Sequence, residues 1–262
     1  MRRLAVIAHP VGHSRSPAMQ NAALAALGLD GEWSYEAIDV DPGGFEQRVR
    51  EMIGEGFVGA NVTVPHKGSA MGIADILSET AREIGAANTL SFDDGEIVAD
   101  NTDGDGLLDA LPASPSSGRA LVLGAGGAAR AVVWALLREG ADVDVWNRTE
   151  LRSQHLCAEL GGHPVEEPEQ EDYDLLVNST SVGLSDEDPF AELPMRPDGF
   201  RDGQTVVDLV YSGPGRLLEA AQEGGAAVVD GIEILVRQGA RSLRIWTGLE
   251  PPLEVMRAAA RG

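Results

Sequence analysis

The chain has 262 residues, 43% of them hydrophobic and 24% charged, enough for one large α/β domain or two modest ones around a buried core. Its 42 carboxylates against 20 cationic side chains give a formal charge of −22, which argues against nucleic acid as a partner, and no stretch approaches the roughly 18 uncharged apolar residues of a membrane span. A single cysteine, Cys157, excludes an intramolecular disulfide, and the short apolar run before His9 and Pro10 is too brief for a signal-peptide core, so the cytoplasm is the expected location.

In chain order, R-L-A-V-I-A reads as a first strand. H-S-R-S-P follows, with Ser16 as the expected N-cap and Pro17 at the first helical position of an Ala/Leu-rich helix to about Gly28. W-S-Y-E-A-I-D-V alternates with period two as a second strand, a helix covers about 42–54, and F-V-G-A-N-V-T-V forms a third strand. A-N-T-L-S-F and E-I-V-A-D flank Asp93-Asp94-Gly95 as a tight hairpin. P-A-S-P-S-S-G at 112–118 is the clearest punctuation, with a domain junction expected nearby.

After it the pattern restarts. R-A-L-V-L runs into G-A-G-G-A-A-R, an apolar helix to Gly140, then D-V-D-V-W and N-R-T. D-L-L-V-N-S-T, T-V-V-D-L-V and A-A-V-V-D supply further short strands, R-L-L-E-A-A-Q-E a helix, and the tail from about Ile232 is helical. Short apolar strands alternating with helices predict a parallel sheet.

Gly124-Ala125-Gly126-Gly127-Ala128-Ala129 fits G-x-G-x-x-A between a strand and a helix. Glycines there let the backbone turn tightly beside a pyrophosphate that the helix N-terminus stabilises, although such turns also occur merely for packing. Where an NAD site usually offers a carboxylate, this chain offers Asn147-Arg148-Thr149, with Arg152 one turn on. Guanidiniums grip a 2′-phosphate in bidentate fashion, so NADP (NADPH) is the expected cofactor. Asp142 and Asp144, earlier in the strand, are structural or surface residues on this reading.

The first half carries Ser14-Arg15-Ser16, Asn61-Val62-Thr63, Lys67, and the pair Asn88 and Asp103. Each has a plainer alternative: Ser16 as a cap, Asn88 as a turn residue, Asp103 as the N-cap of a helix at 104–111. Asn61 and Thr63 share one face of a strand, toward its C-terminal end, where α/β sites form. Hydroxyls and amides with one amine and one carboxylate suit a small polyol substrate.

The motifs H-S-R-S-P-A-M-Q-N-A, G-A-N-V-T-V-P-H-K, G-A-A-N-T-L, D-N-T-D-G-D-G, G-A-G-G-A-A-R, N-R-T, N-S-T-S-V-G-L, D-L-V-Y and D-G-I-E-I-L-V-R-Q-G-A occur in this order over nearly the whole chain. Together they resemble the shikimate dehydrogenase family. The resemblance implies NADPH-dependent reduction of 3-dehydroshikimate to shikimate, a step toward aromatic amino acids, by an α/β protein of two domains. The first, substrate-binding domain would be 1–102 plus 238–262, with the C-terminal helix returning to it, and 103–237 would be a Rossmann-type NADP domain. Ser14 and Ser16 would hold the substrate carboxylate. Asn61, Thr63, Asn88, Asp103, Tyr211 and Gln238 would contact ring hydroxyls or frame the site, and Lys67 with Asp103 would be the catalytic pair. The glycine-rich turn and Asn147 to Arg152 would hold NADP, with Glu79, Leu209 and Gly231 matching positions that line the nicotinamide or the cleft. No metal is implied, and the oligomeric state is left open, a homodimer included. The segment after Tyr211, Ser212-Gly213-Pro214, departs from the usual family pattern.

Lys67 is the only lysine in the chain. Reduction of a ketone leaves an alkoxide that must gain a proton, and a guanidinium stays protonated above about pH 12. Lysine's ordinary value near 10.4 can be moved by burial or neighbours. Loss of lysine elsewhere beside retained arginine fits adaptation to molar salt, where the Debye length shrinks to ~3 Å at 1 M. His66 is an alternative proton carrier, expected as an exposed histidine; Ser14 with His13 is a weaker nucleophile–base pair. Rival functions are a quinate or broad-specificity polyol dehydrogenase preferring NAD, a non-catalytic NADP-binding regulatory module, and a transferase using another nucleotide. Ser16 and Arg148 speak against the first, and the presence of Lys67 and Asp103 against the others.

Overall fold

The computed structural model describes residues 1–184, 188–211 and 215–262. The chain divides into two compact units, one of Met1–Gly106 with Leu235–Gly262 and the other of Leu107–Ile234.

In chain order the first unit contains β1 (Arg2–Ala8), α1 (Ser16–Ala26), β2 (Trp33–Asp39), α2 (Phe45–Gly54), β3 (Phe57–Val62), α3 (Lys67–Ile73), β4 (Ile76–Leu77), α4 (Glu79–Ile84), β5 (Thr89–Asp93) and β6 (Glu96–Asp100). Helix α5 (Asp103–Ala110) carries the chain into the second unit. Among the described residues the sheet order is β2-β1-β3-β5-β6-β4. Strands β1, β2 and β3 are parallel, whereas β5 is antiparallel to both β3 and β6, so the sheet is mixed. The expected hairpin is present: Asp94 (φ 46°) and Gly95 (φ 87°) form its turn, the two positive φ values a tight two-residue connection needs. Ile7, Phe45, Val49, Met52, Val62, Leu90 and Ile97 fill the core of this unit, each buried side chain contributing roughly 1.5–3 kcal/mol.

One expectation fails at α1. Ser16 is the first helical residue rather than the cap, and Arg15 occupies the cap position. The Ser14 hydroxyl accepts the Ser16 N–H at 3.3 Å, so Ser16 is left without a capping task and its side chain is buried. The third strand also stops earlier than its alternation predicts, at Val62, with Pro65 unable to donate to a ladder.

The second unit contains β7 (Arg119–Leu123), α6 (Gly127–Arg138), β8 (Asp142–Trp146), α7 (Glu150–Leu160), β9 (His163–Pro164), β10 (Leu175–Asn178), α8 (Pro189–Glu192), β11 (Thr205–Asp208), α9 (Arg216–Glu223) and β12 (Ala227–Val229). Among the described residues its strands are all parallel, in the order β12-β11-β10-β7-β8-β9. Along β7, Ala120 and Val122 enter one core with Val133, Leu136 and Val177, while Leu121 and Leu123 enter another with Tyr173, Leu176 and Leu217. Burial on both faces explains the continuous apolar runs of these strands. Asp144 is buried and structural, accepting from the Tyr173 hydroxyl at 2.7 Å and from Arg119 at 3.0 Å. Helix α10 (Gly231–Thr247) leads the chain back to the first unit, which α11 (Leu253–Arg261) completes. No helix among the described residues is long and apolar enough to cross a membrane.

Candidate active site

In the first unit, the polar groups gather at the C-terminal ends of β1 and β3. The two strands run in register with Ile7 opposite Val62. The Thr63 N–H donates to the Ile7 carbonyl (3.0 Å) and the His9 N–H to Val64 (3.2 Å), which sets half-buried Thr63 beside the loop leading to Ser14 and Ser16. Asp39, at the end of β2, holds that loop: its carboxylate accepts from the Val11 N–H at 2.8 Å and lies 2.7 Å from His9 Nδ1. The hydrogen bond to Asp39 raises His9 above its ordinary value and lowers Asp39 in return.

Lys67 begins α3 and Asp103 begins α5. Their side chains are 12% and 15% exposed, and Lys67 Nζ donates to Asp103 Oδ2 at 2.6 Å. Asp103 is the first residue of the helix rather than its cap, and Asn101 Oδ1 accepts the Asp103 N–H at 2.9 Å. Its second oxygen accepts from Asn88 Nδ2 at 2.8 Å. Asn88 is buried rather than a turn residue, and its amide also donates to Gln238 Oε1 (3.1 Å) and Thr102 Oγ1 (2.9 Å). Lys67, Asp103, Asn88 and Gln238 are therefore one hydrogen-bonded group.

Asn61 is adjacent but turned inward. It accepts from the Tyr35 hydroxyl (2.8 Å), and its amide nitrogen donates to Ser242 Oγ (2.9 Å). Ser14 is half-buried and Ser16 buried ahead of Met19 and Gln20 on α1, and Gln20 Nε2 donates to the Gly239 carbonyl at 3.0 Å, next to Gln238.

In the second unit, the glycine-rich turn has the conformation its residues predict. Gly124 has φ +113°, where a side chain would be strained, and Gly126 is the N-cap of α6 with no side-chain cap bond, leaving the first turn open to an anion. Ala125, Gly127 and Ala128 are half-buried around it. The Gly124 N–H donates to the Trp146 carbonyl (2.8 Å), so the turn lies against the end of β8, where Asn147 donates to the Thr149 carbonyl (2.8 Å). Arg148 extends into solvent at 82% exposure and pairs with Glu192 at 3.3 Å; Arg152 is exposed on the first turn of α7. Gly231 opens α10 against the backbone of Leu209 and Val210, whose carbonyl oxygens would both lie 2.7 Å from a Cβ there.

Residues 6–90 match the model of the shikimate dehydrogenase substrate-binding domain, 110–185 that of shikimate/quinate 5-dehydrogenase, and 231–261 that of the shikimate 5′-dehydrogenase C-terminal domain. The chain is 45% identical to a shikimate dehydrogenase (NADP(+)) of Thermus thermophilus, over 100% of this chain and 98% of the relative. The chain belongs to the shikimate dehydrogenase family. Two solved members are similar throughout. Shikimate dehydrogenase from Aquifex aeolicus has a TM-score of 0.94 at 37% identity, covering 100% of this chain and 98% of that one. Shikimate 5-dehydrogenase from Thermus thermophilus, in complex with NADP(H) and shikimate, has a TM-score of 0.91 at 43% identity, covering 100% and 99%.

Within this family member, His66 departs from expectation: it is 1% exposed, stacked on Phe45 with ring centroids 4.6 Å apart, and bonded through Nε2 to the Val40 carbonyl at 2.8 Å. Burial pushes its pKa down, so it is a neutral core histidine. Glu79 is exposed at the start of α4 in the first unit, whereas the other expected cofactor residues and half-buried Tyr211 belong to the second. The atypical segment Ser212-Gly213-Pro214 lies outside the described residues. Sequence reading missed Thr102, Thr89, Tyr35 and Ser242, all bonded into the site network. Ser242 had a signal, since it follows Gln238 by one helical turn. Glu192 had none, standing 44 residues from Arg148.

Proposed function

We propose that this protein is an NADPH-dependent shikimate dehydrogenase, reversibly reducing 3-dehydroshikimate to shikimate on the route to chorismate and the aromatic amino acids. The observation that carries the reading is the shielded Lys67–Asp103 pair, 2.6 Å apart and bonded to Asn88. Full-length similarity to a Thermus enzyme solved with NADP(H) and shikimate supports it.

NADPH, when bound, supplies the hydride that adds to the ketone carbon. The carbonyl oxygen then carries the displaced electron pair and takes a proton from the Lys67 ammonium, which Asp103 holds in place. In the oxidative direction the neutral amine takes the hydroxyl proton back. General acid–base catalysis of this kind contributes roughly 10²–10⁴ in rate. Ser14 and Ser16 bind the substrate carboxylate, while Thr63, Asn88, Tyr211 and Gln238 engage ring hydroxyls and Asn61 braces them. The open N-terminus of α6 with Gly124 to Ala128 takes the pyrophosphate, and Asn147, Arg148, Thr149 and Arg152 the 2′-phosphoribose. Glu79, Leu209 and Gly231 border the nicotinamide. The first unit, Met1–Gly106 with Leu235–Gly262, serves as the substrate domain and the second, Leu107–Ile234, as the NADP domain, within a few residues of the division expected at 102/103 and 237/238. The charge of −22 with one lysine supports a salt-adapted cytoplasmic enzyme.

Initial rates with 3-dehydroshikimate in molar KCl, comparing NADPH with NADH and using 3-dehydroquinate as control, test the reading. A fast NADPH-linked rate that collapses in Lys67→Ala is expected. No turnover of either ketone by folded wild type overturns it in favour of a binding module, and faster turnover of the quinate precursor with NADH favours a quinate enzyme.

A further inference from the structure

Ser242 sits on α10 with 0% exposure, at a position where alanine would pack without any desolvation cost. Its hydroxyl nevertheless has four polar neighbours. It accepts from Asn61 Nδ2 at 2.9 Å, and lies 2.8 Å from Thr89 Oγ1, 3.1 Å from Thr102 Oγ1 and 3.2 Å from the Gln238 carbonyl. The two threonine hydroxyls in turn stand at Asn88 Oδ1, at 2.9 Å and 3.2 Å.

The Asn88 oxygen also accepts the Thr102 main-chain N–H at 2.8 Å. A main-chain N–H can only donate, so the amide cannot be flipped: the oxygen faces the Thr102 N–H, and the NH₂ faces Asp103, Gln238 and the Thr102 hydroxyl at 2.9 Å. Asp103 thus receives Asn88 on one oxygen and Lys67 on the other. The orientation of the carboxylate runs back through Asn88 and two threonines to a hydroxyl that touches neither Lys67 nor Asp103.

We propose that Ser242 is a positioning residue for this reaction, holding Asn88, and through it the Asp103 carboxylate, in the orientation the Lys67–Asp103 pair requires. Asn61 belongs to the same device. Its NH₂ is directed to Ser242, Thr89 and the Asn88 carbonyl while Tyr35 fixes its oxygen, so it acts as a strut between β3 and α10. The inference rests on the dehydrogenase reading, because it concerns the pair that reading makes catalytic.

The test is a double-mutant cycle on shikimate oxidation, with Ser242→Ala, Asn88→Ala and the double variant. Misplacement of a catalytic group by up to about 1 Å costs on the order of a hundredfold in rate. Ser242→Ala is therefore expected to lower kcat roughly ten- to hundredfold, with the KM for NADP+ unchanged and the pH–rate profile displaced. In the Asn88→Ala background the same substitution should change kcat by less than about threefold, since the path is already cut. Ser242→Thr, which restores a hydroxyl, should recover part of the rate. Ser242→Cys, of similar volume with a poor hydrogen-bonding group, is read by the same criteria and decides the matter if the alanine variant does not fold. An undiminished kcat, or an equal loss in both backgrounds, overturns the proposal. Failure of wild type to oxidise shikimate instead overturns the dehydrogenase reading, so the two failures are distinct.

Discussion

Lys67 and Asp103, 36 residues apart in the chain, meet at 2.6 Å between Nζ and Oδ2 with both side chains largely shielded from solvent. The starts of two helices bring them together, and the pairing needs an amine rather than a guanidinium only if a proton is exchanged. Lys67→Arg keeps the charge and the ion pair but not the exchange. Its kcat is expected to fall by about 10²–10⁴ while shikimate binding, followed by ligand-induced stabilisation, persists. Wild-type turnover by the arginine variant would remove Lys67 from the proton step.

Arg148 offers its guanidinium to solvent, with Glu192 at 3.3 Å as its partner. Loss of a charge-assisted contact costs about 1.5–3 kcal/mol. Arg148→Gln should therefore raise the KM for NADPH by roughly ten- to a hundredfold and leave that for NADH unchanged. Glu192→Gln removes a competitor for the guanidinium and should lower the NADPH KM by at most a few-fold, as befits an exposed pair. Equal effects on both cofactors would place the 2′-phosphate elsewhere.

Asp208 ends β11 with 5% exposure, and burial raises its carboxyl from 3.8 to about 6 despite the Val210 N–H and the Asn178 amide that both reach Oδ1. Between these values the folded chain keeps a proton that the unfolded chain has released, so stability falls as pH rises through the window. Asp208→Asn keeps the acceptor oxygen and removes the charge. Denaturant unfolding should show it more stable than wild type above about pH 6, by up to about 3 kcal/mol, with the difference shrinking toward about pH 4. A difference independent of pH would show that the buried charge is not its cause.

Gly231→Ala would place a Cβ 2.7 Å from the Leu209 and Val210 carbonyl oxygens, which are main chain and cannot swing aside. Overpacking of this kind costs about 1–3 kcal/mol. A lower thermal midpoint is expected, with a raised KM for NADPH because Leu209 moves. A variant as stable as wild type would mean that the α10 N-terminus is free to shift.

The −22 formal charge makes the folded state self-repelling at low ionic strength. Screening shortens from ~10 Å at 0.1 M to ~3 Å at 1 M salt, so the thermal midpoint should climb with KCl over that range. A flat response would remove the salt-adapted reading.

Local sequence made much of the fold legible. The Asp94-Gly95 turn, the apolar strands of the second unit and the G-x-G-x-x-A turn each follow from two or three neighbouring residues, through allowed φ values or periodicity. The two-residue strands β4 and β9 carry no such pattern, because a strand that short is made by its neighbour's hydrogen bonds. His66 illustrates the same limit: nothing in V-P-H-K says that Phe45 and the Val40 carbonyl will enclose the ring.

By itself the sequence determined the chemical inventory: one amine kept among arginines, a glycine-rich turn between strand and helix, a guanidinium where a ribose carboxylate could stand, and the order of family motifs. Those are properties of residue type and short spacing. Tertiary structure alone decided which of these groups meet. Asp103 bonds to Lys67 and Asn88 instead of capping its own helix, and Ser242, 140 residues beyond Thr102, closes the network behind them. The physical reason is that a buried polar side chain must find partners wherever the packed backbone places them, and those partners come from strands and helices distant in the chain.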